Sequence, residues 1–155
     1  MKNILTITFI ILSLTIKSDE SLTIHVTGKQ FEWSFNYPNK KVIKNKDCHI
    51  YKNSKLHFLD DKLKENKNKF LTVPEGTEII FKLKSEKVEH CLGFAKFAKK
   101  KSCFPDKETE LTLSPMKSGK YMYACYEFCG IDHTSMIGYM LVVSKEDYQK
   151  FIETK

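Results

Sequence analysis

An all-β sandwich or barrel with a short C-terminal helix is the fold class this sequence predicts. Apolar and polar residues alternate with a period of two through most segments after residue 20, Pro and Gly turn signals interrupt those segments at short intervals, and the one convincing helix start lies near the C-terminus. With 155 residues, 41% hydrophobic and 29% charged, the chain has the size and composition of one globular domain. Such a domain builds its core without a disulfide framework, so its five cysteines need another explanation.

Residues 1–18 read as a leader. Met1-Lys2-Asn3 is basic, and Ile4 to Ile16 is an apolar run diluted by Thr6, Thr8, Ser13 and Thr15. The run is shorter than the ~20 residues of a spanning helix and has the length of a signal-peptide core. Ile16-Lys17 lacks a small-x-small cleavage pattern, so a signal peptide and a retained short membrane anchor are both open, with residues 19–155 as the domain.

Leu22-Thr23-Ile24-His25-Val26 and Phe31-Glu32-Trp33-Ser34-Phe35-Asn36-Tyr37 alternate as strands, and Pro38-Asn39 stops the second. Asn39 to Asn68 is polar outside Ile50-Tyr51 and Leu56 to Leu59, which predicts a long connection with one short strand. Further strands are expected at Phe70 to Val73, Thr77 to Lys84, Glu110 to Leu113, Lys120 to Ala124 and Gly138 to Val143, with turns at Pro74-Glu75-Gly76 and Ser118-Gly119. Ser144, with Asp147 three residues on, resembles a capping box ahead of Tyr148, Phe151 and Ile152.

The net charge is +7, and every one of the 26 basic residues is lysine. The absence of arginine argues against an arginine-rich mitochondrial transit peptide and against bidentate readout of guanine or phosphate, so nucleic acid is not an expected partner. The lysine clusters at Lys40 to Lys46, Lys62 to Lys69 and Lys99 to Lys101 are expected in solvated loops.

The chemistry is concentrated in Cys125-Tyr126-Glu127-Phe128-Cys129-Gly130-Ile131-Asp132-His133-Thr134-Ser135-Met136, a C-x3-C-x3-H-x2-M loop. Structural zinc sites use C-x2–4-C with further Cys or His, whereas a thioether favours copper. A mononuclear blue-copper loop needs one cysteine, and this one has two; a second thiolate can bridge a pair of copper ions. Such a pair needs a second imidazole, and His90, at the end of the strand expected upstream, is the best candidate, ahead of His25, His49 and His57.

These residues resemble the CuA domain of subunit II of haem-copper cytochrome c oxidases, over about residues 22 to 153. The likeness includes Gln30-Phe31-Glu32-Trp33-Ser34-Phe35 with Tyr37-Pro38, Val73-Pro74, and the Cys-x-Glu-x-Cys-Gly-x-x-His-x-x-Met loop. It implies a cupredoxin-like Greek-key β-barrel holding a binuclear copper centre. His90, Cys125, Cys129, His133 and Met136 would be side-chain ligands, Glu127 would offer its carbonyl, and the Glu127 carboxylate would help hold Mg2+ shared with a catalytic subunit. An unpaired electron spread over two coppers and two sulfurs changes each bond little on reduction, so the domain would relay electrons with no substrate chemistry of its own. The implied partners are the oxidase catalytic subunit and a cytochrome c or other small donor. The implied location is exported: periplasmic, or the outer face of the cytoplasmic membrane, reached through the partner or a short anchor.

The sequence departs from the family at the position where a tryptophan often serves as electron entry. Here that position is Phe31, with Trp33 two residues on. Lys87 replaces an acidic residue that helps dock basic cytochrome c, which with the positive net charge favours a neutral or acidic donor. Tyr121, Tyr123 and Tyr126 are read as packing rather than as an electron path, and Phe128 as a contact for the catalytic subunit. Cys48, Cys91 and Cys103 are open to one disulfide or to buried thiols, and alternation points Cys91 away from His90. The competing functions are an exported copper-delivery or storage protein binding Cu(I) at the same thiolates, a mononuclear blue-copper protein and a structural zinc domain.

Overall fold

The computed structural model describes residues 21–44, 51–52, 55–56, 70–114 and 116–154. The leader, Cys48, His49, His57 and the Lys62 to Lys69 cluster lie outside the described residues. Two five-stranded sheets face each other. The first contains β1 (Leu22–Lys29), β2 (Glu32–Asn36), β3 (Val42–Lys44), β7 (Ile79–Ser85) and β10 (Thr109–Leu113), in the order β10-β7-β1-β2-β3. The second contains β6 (Leu71–Pro74), β8 (His90–Phe94), β9 (Lys99–Cys103), β11 (Gly119–Cys125) and β12 (Ile137–Val143), in the order β6-β12-β11-β8-β9. A small ladder joins β4 (Tyr51–Lys52) to β5 (Lys55–Leu56), and α1 (Lys145–Glu153) follows β12.

The period-two reading selects the inward faces. On β1 and β7 it buries Ile24, Val26, Ile79, Phe81 and Leu83, and their parallel register sets Ile24 beside Phe81 and Val26 beside Leu83. The facing sheet supplies Leu92, Phe94, Tyr123 and Met140. Phe81 stacks on Phe94 across the sandwich at 5.5 Å, and Phe35 meets Tyr123 edge-on at 5.3 Å.

Both open sides are tied. On one, Lys99 Nζ donates to Thr112 O at 2.7 Å and the Thr109 hydroxyl donates to Ser102 O, linking β9 to β10. On the other, the buried Tyr37 hydroxyl accepts from Thr72 N and donates to Thr72 O, both at 2.9 Å, and so satisfies the free edge of β6. Ser144 Oγ accepts from Asp147 N at 3.1 Å, as the capping reading requires. Lys41 closes the far end of α1 by donating to Phe151 O and Thr154 O, each at 2.6 Å.

Three expectations are corrected. Lys99 to Lys101 form part of β9, and the segment from Lys40 contributes β3; both are sheet-edge strands, where exposed lysines blunt the edge against pairing with another chain. The polar connection holds the β4–β5 pair in addition to β3, rather than one strand. His90 does not end the preceding strand but opens its own, after a turn at residues 86–89 in which Lys87 has φ 64°.

Replacing Tyr37 with Phe leaves the N–H and C=O of buried Thr72 without partners. Urea unfolding of the Tyr37→Phe chain is expected to show a loss of about 1–3 kcal/mol at unchanged m-value.

Candidate metal centre

The expected donors meet at one end of the sandwich. His90 projects from the first residue of β8, Cys125 from the last residue of β11, and the loop to β12 carries the rest. Donor atoms of His90, Cys125 and Cys129 lie within 4.8 Å of one another. His90 Nδ1 is 3.7 Å from Cys125 Sγ, and His133 Nδ1 is 3.6 Å from Cys129 Sγ. Met136 Sδ lies 3.4 Å from Cys129 Sγ, and the Glu127 carbonyl accepts from the Cys125 thiol at 3.2 Å. Two soft sulfurs are thus flanked by two imidazoles, a thioether and a carbonyl, a donor set suited to copper.

The loop is short enough to be held by its own backbone. A 3-10 turn at His133–Ser135 opens with His133 N donating to Gly130 O, and Met136 N returns to His133 O, both at 3.1 Å. Cys125 N donates to Met136 O at 2.9 Å, closing the loop at its base. Sheet one holds it from outside: the Gln30 side-chain amide donates to Cys129 O, and Trp33 Nε1 reaches Met136 O at 3.4 Å. Gly130, at φ 136°, lets this approach happen, because a Cβ there would stand 2.9 Å from Phe31 Cζ and 3.0 Å from Gln30 Nε2.

His90 is fully buried, and a Cβ on Gly28 would lie 3.0 Å from its ring carbons, so the imidazole rests directly on the β1 backbone. Trp33, also fully buried, stands edge-on at 5.8 Å. Met136 is fully buried and both loop cysteines nearly so, which keeps water from the sulfurs. Burial, and then the neighbouring Cys125, pushes the Cys129 thiol up to about 12. Burial, and then the nearby His133, holds His90 below its usual value and keeps it in the neutral form that can bind a metal.

Other expected residues lie outside this cluster. Phe31 is half-buried against Gly130. Tyr123 packs in the core, Tyr121 donates to Lys117 O at 2.8 Å, and Tyr126 covers Gly93. His25 is exposed, 3.9 Å from Glu108. Lys87 is exposed at the turn tip, while Glu86 is tied to Lys29 at 2.7 Å. Phe128 and Ile131 are 78% and 91% exposed at the tip of the ligand loop.

The open disulfide question resolves against Cys91–Cys103. Cys91, Cys103, Cys125 and Cys129 are all free thiols. The register sets Cys103 opposite His90 and Cys91 opposite Ser102, so the two side chains leave opposite faces of the sheet. Sequence reasoning gave no role to Gly28 or Gln30. Gln30 was visible only as part of an aromatic strand motif, and Gly28 carried no signal, since its role is set by a ring on the other sheet.

The sequence model described as cytochrome C oxidase subunit II, periplasmic domain, matches residues 22–144. A probable cytochrome c oxidase subunit 2 of Streptomyces avermitilis is 27% identical over 92% of this chain and 51% of its own length. The chain thus spans about half the length of that curated relative. The crystal structure of the periplasmic domain of cytochrome oxidase subunit II from Bradyrhizobium japonicum superposes with a TM-score of 0.69 at 26% identity, covering 85% of this chain and 91% of that one. A second solved structure, a mixed disulfide between a thioredoxin-like protein and subunit II of cytochrome c oxidase, gives a TM-score of 0.64 at 25% identity, covering 85% of this chain and 89% of that one. With its cupredoxin-like sandwich and its cluster of histidine and cysteine donors, the chain belongs to the family of cytochrome c oxidase subunit II periplasmic domains.

Proposed function

We propose that this chain is an electron-entry domain that holds a binuclear CuA centre through His90, Cys125, Cys129, His133 and Met136, with the Glu127 carbonyl as a sixth donor. The observation that carries the reading is the convergence of two buried thiols with an imidazole Nδ1 beside each, at 3.7 and 3.6 Å. When bound, the copper pair supplies one-electron redox chemistry with little change in bonding. The protein's own part is to hold the donors. Gln30 and Trp33 anchor the loop backbone, Gly28 seats His90, and the buried sulfurs stay dry.

The electron leaves toward the catalytic subunit of a haem-copper oxidase, and the exposed pair Phe128 and Ile131 at the loop tip is the apolar contact for that partner. The exposed Glu127 carboxylate would supply one oxygen to a Mg2+ shared with the same partner. Electrons enter beside Phe31, which is half-buried, with Trp33 inside it against His90. Lys87 stands exposed beside the Lys29–Glu86 pair, and with the positive net charge this favours a neutral or acidic donor. The domain works outside the cytoplasm, with residues 1–18 as its export signal or short anchor. No helix among the described residues is long and apolar enough to cross a membrane. The mixed disulfide formed by a related subunit II supports a thioredoxin-like reductant that keeps Cys125 and Cys129 as thiols for metal loading.

Copper content and electron paramagnetic resonance of the loaded full chain test the reading. Two coppers per chain with one electron shared equally between both nuclei are expected; a single copper with an ordinary four-line pattern, or a Cu(I) form that cannot be oxidised reversibly, moves the chain to the blue-copper or copper-storage class. Cys129→Ser is expected to abolish the shared-electron spectrum, and its survival would overturn the ligand assignment. Lys87→Asp is expected to leave that spectrum unchanged while tightening binding to a basic cytochrome c roughly two- to five-fold at low salt, the size of one exposed ion pair of ~0.5–1 kcal/mol. Titration at two ionic strengths reads this, and the gain should fade as salt rises.

A further inference from the structure

Two buried side-chain polar atoms among the described residues have no hydrogen-bond partner: His90 Nε2 and Ser85 Oγ. Their residues are 0% and 7% exposed. The register explains how they come together. Trp33 pairs with Gly28 across β2 and β1, and Gly28 pairs with Ser85 across β1 and β7, so the three form one inward-facing row. The His90 ring descends from the other sheet onto the middle of that row, in contact with Gly28, and Trp33 bounds it on one side at 5.8 Å. Ser85 is the next residue in the row on the opposite side, one strand spacing of about 4.8 Å from Gly28.

His90 Nδ1 faces the Cys125 sulfur at 3.7 Å. An imidazole that binds metal through Nδ1 must carry its hydrogen on Nε2, and a buried N–H requires an acceptor. The Ser85 hydroxyl turns freely about its C–O bond and offers two lone pairs. Neither atom reaches the other as they stand; we propose that Ser85 is a positioning residue for the metal centre, whose hydroxyl, after rotation about the Ser85 Cα–Cβ bond, accepts the Nε2–H of His90 and so fixes the tautomer and the ring plane with Nδ1 aimed at the sulfurs. This rests on the copper reading of the site. The floor of the row could be filled by alanine if only packing mattered; a buried hydroxyl without another partner is what an imidazole N–H needs.

The test compares the full chain with Ser85→Ala, Ser85→Thr and Ser85→Val. Cu(I) affinity is read by competition with a chromogenic chelator, and the His90 Nε2–H proton by nitrogen-edited magnetic resonance of the reduced, diamagnetic protein. Ser85→Ala and Ser85→Val should lose roughly 10- to 100-fold in copper affinity and show a shifted, faster-exchanging Nε2–H. Ser85→Thr, with nearly the same shape as valine but with a hydroxyl, should keep both close to wild type. The Thr/Val pair isolates the hydroxyl even where the alanine chain folds poorly. Equal affinity and an unmoved Nε2–H signal in the Ala and Val chains overturn the proposal, as does a Thr chain that behaves like Val. A Ser85 failure of this kind in a wild type that holds two coppers leaves the copper reading standing; a wild type that binds none overturns both.

Discussion

The contact of the His90 ring with the backbone of Gly28 is the constraint on which the rest of the site depends. Facing sheets pack about 10 Å apart, a gap normally filled by side chains from both. At this end of the sandwich one sheet contributes no side chain at the contact point, so the imidazole from β8 spans the gap and stays fully buried. Trp33 on β2 fills the space beside it, and the same residue reaches Met136 O on the ligand loop. The first sheet supplies none of the six expected donors. It nevertheless supports the ring and, through Gln30, holds the loop backbone at Cys129.

Two properties of the same end are kept apart in space. The sulfurs are buried, and burial, with the neighbouring Cys125, raises the Cys129 thiol to about 12. Phe128, next to Cys129, and Ile131, two residues beyond it, turn outward into solvent, and Tyr126 is part exposed. Short loops do this readily, because neighbouring residues outside a helix or strand can aim their side chains in different directions while backbone bonds such as His133 N to Gly130 O and Cys125 N to Met136 O hold the chain. A dry interior beside an apolar tip suits a centre that passes charge without meeting water.

Much of the architecture was legible from alternation and punctuation. The strands around Ile24, Phe35, Phe81, Tyr123 and Met140 were each expected, because a strand with one buried face writes a period of two into its sequence. Ser144 and Asp147 announced the helix start for an equally local reason. The strands β3 and β9 were not legible: on a sheet edge, lysines such as Lys99 to Lys101 need no apolar face, and their pattern resembles that of a loop. The run from His90 to Phe94 hid for the opposite reason, being buried on both faces and therefore without alternation.

The sequence by itself determined the chemistry of the site: which donor types are present, and that Cys125, Cys129, His133 and Met136 sit close enough along the chain to share one loop. Spacing within a loop is a short-range property, and residues a few positions apart meet whatever surrounds them. The tertiary structure alone decided what holds those donors. That Gly28 lies under His90, that Gln30 reaches Cys129 O, and that Ser85 stands in the same row as Gly28 follow from strand register and from how one sheet rests on the other. A one-residue slip in register would exchange every inward side chain for an outward one while leaving each local pattern intact, and so these contacts are written in no single stretch of sequence.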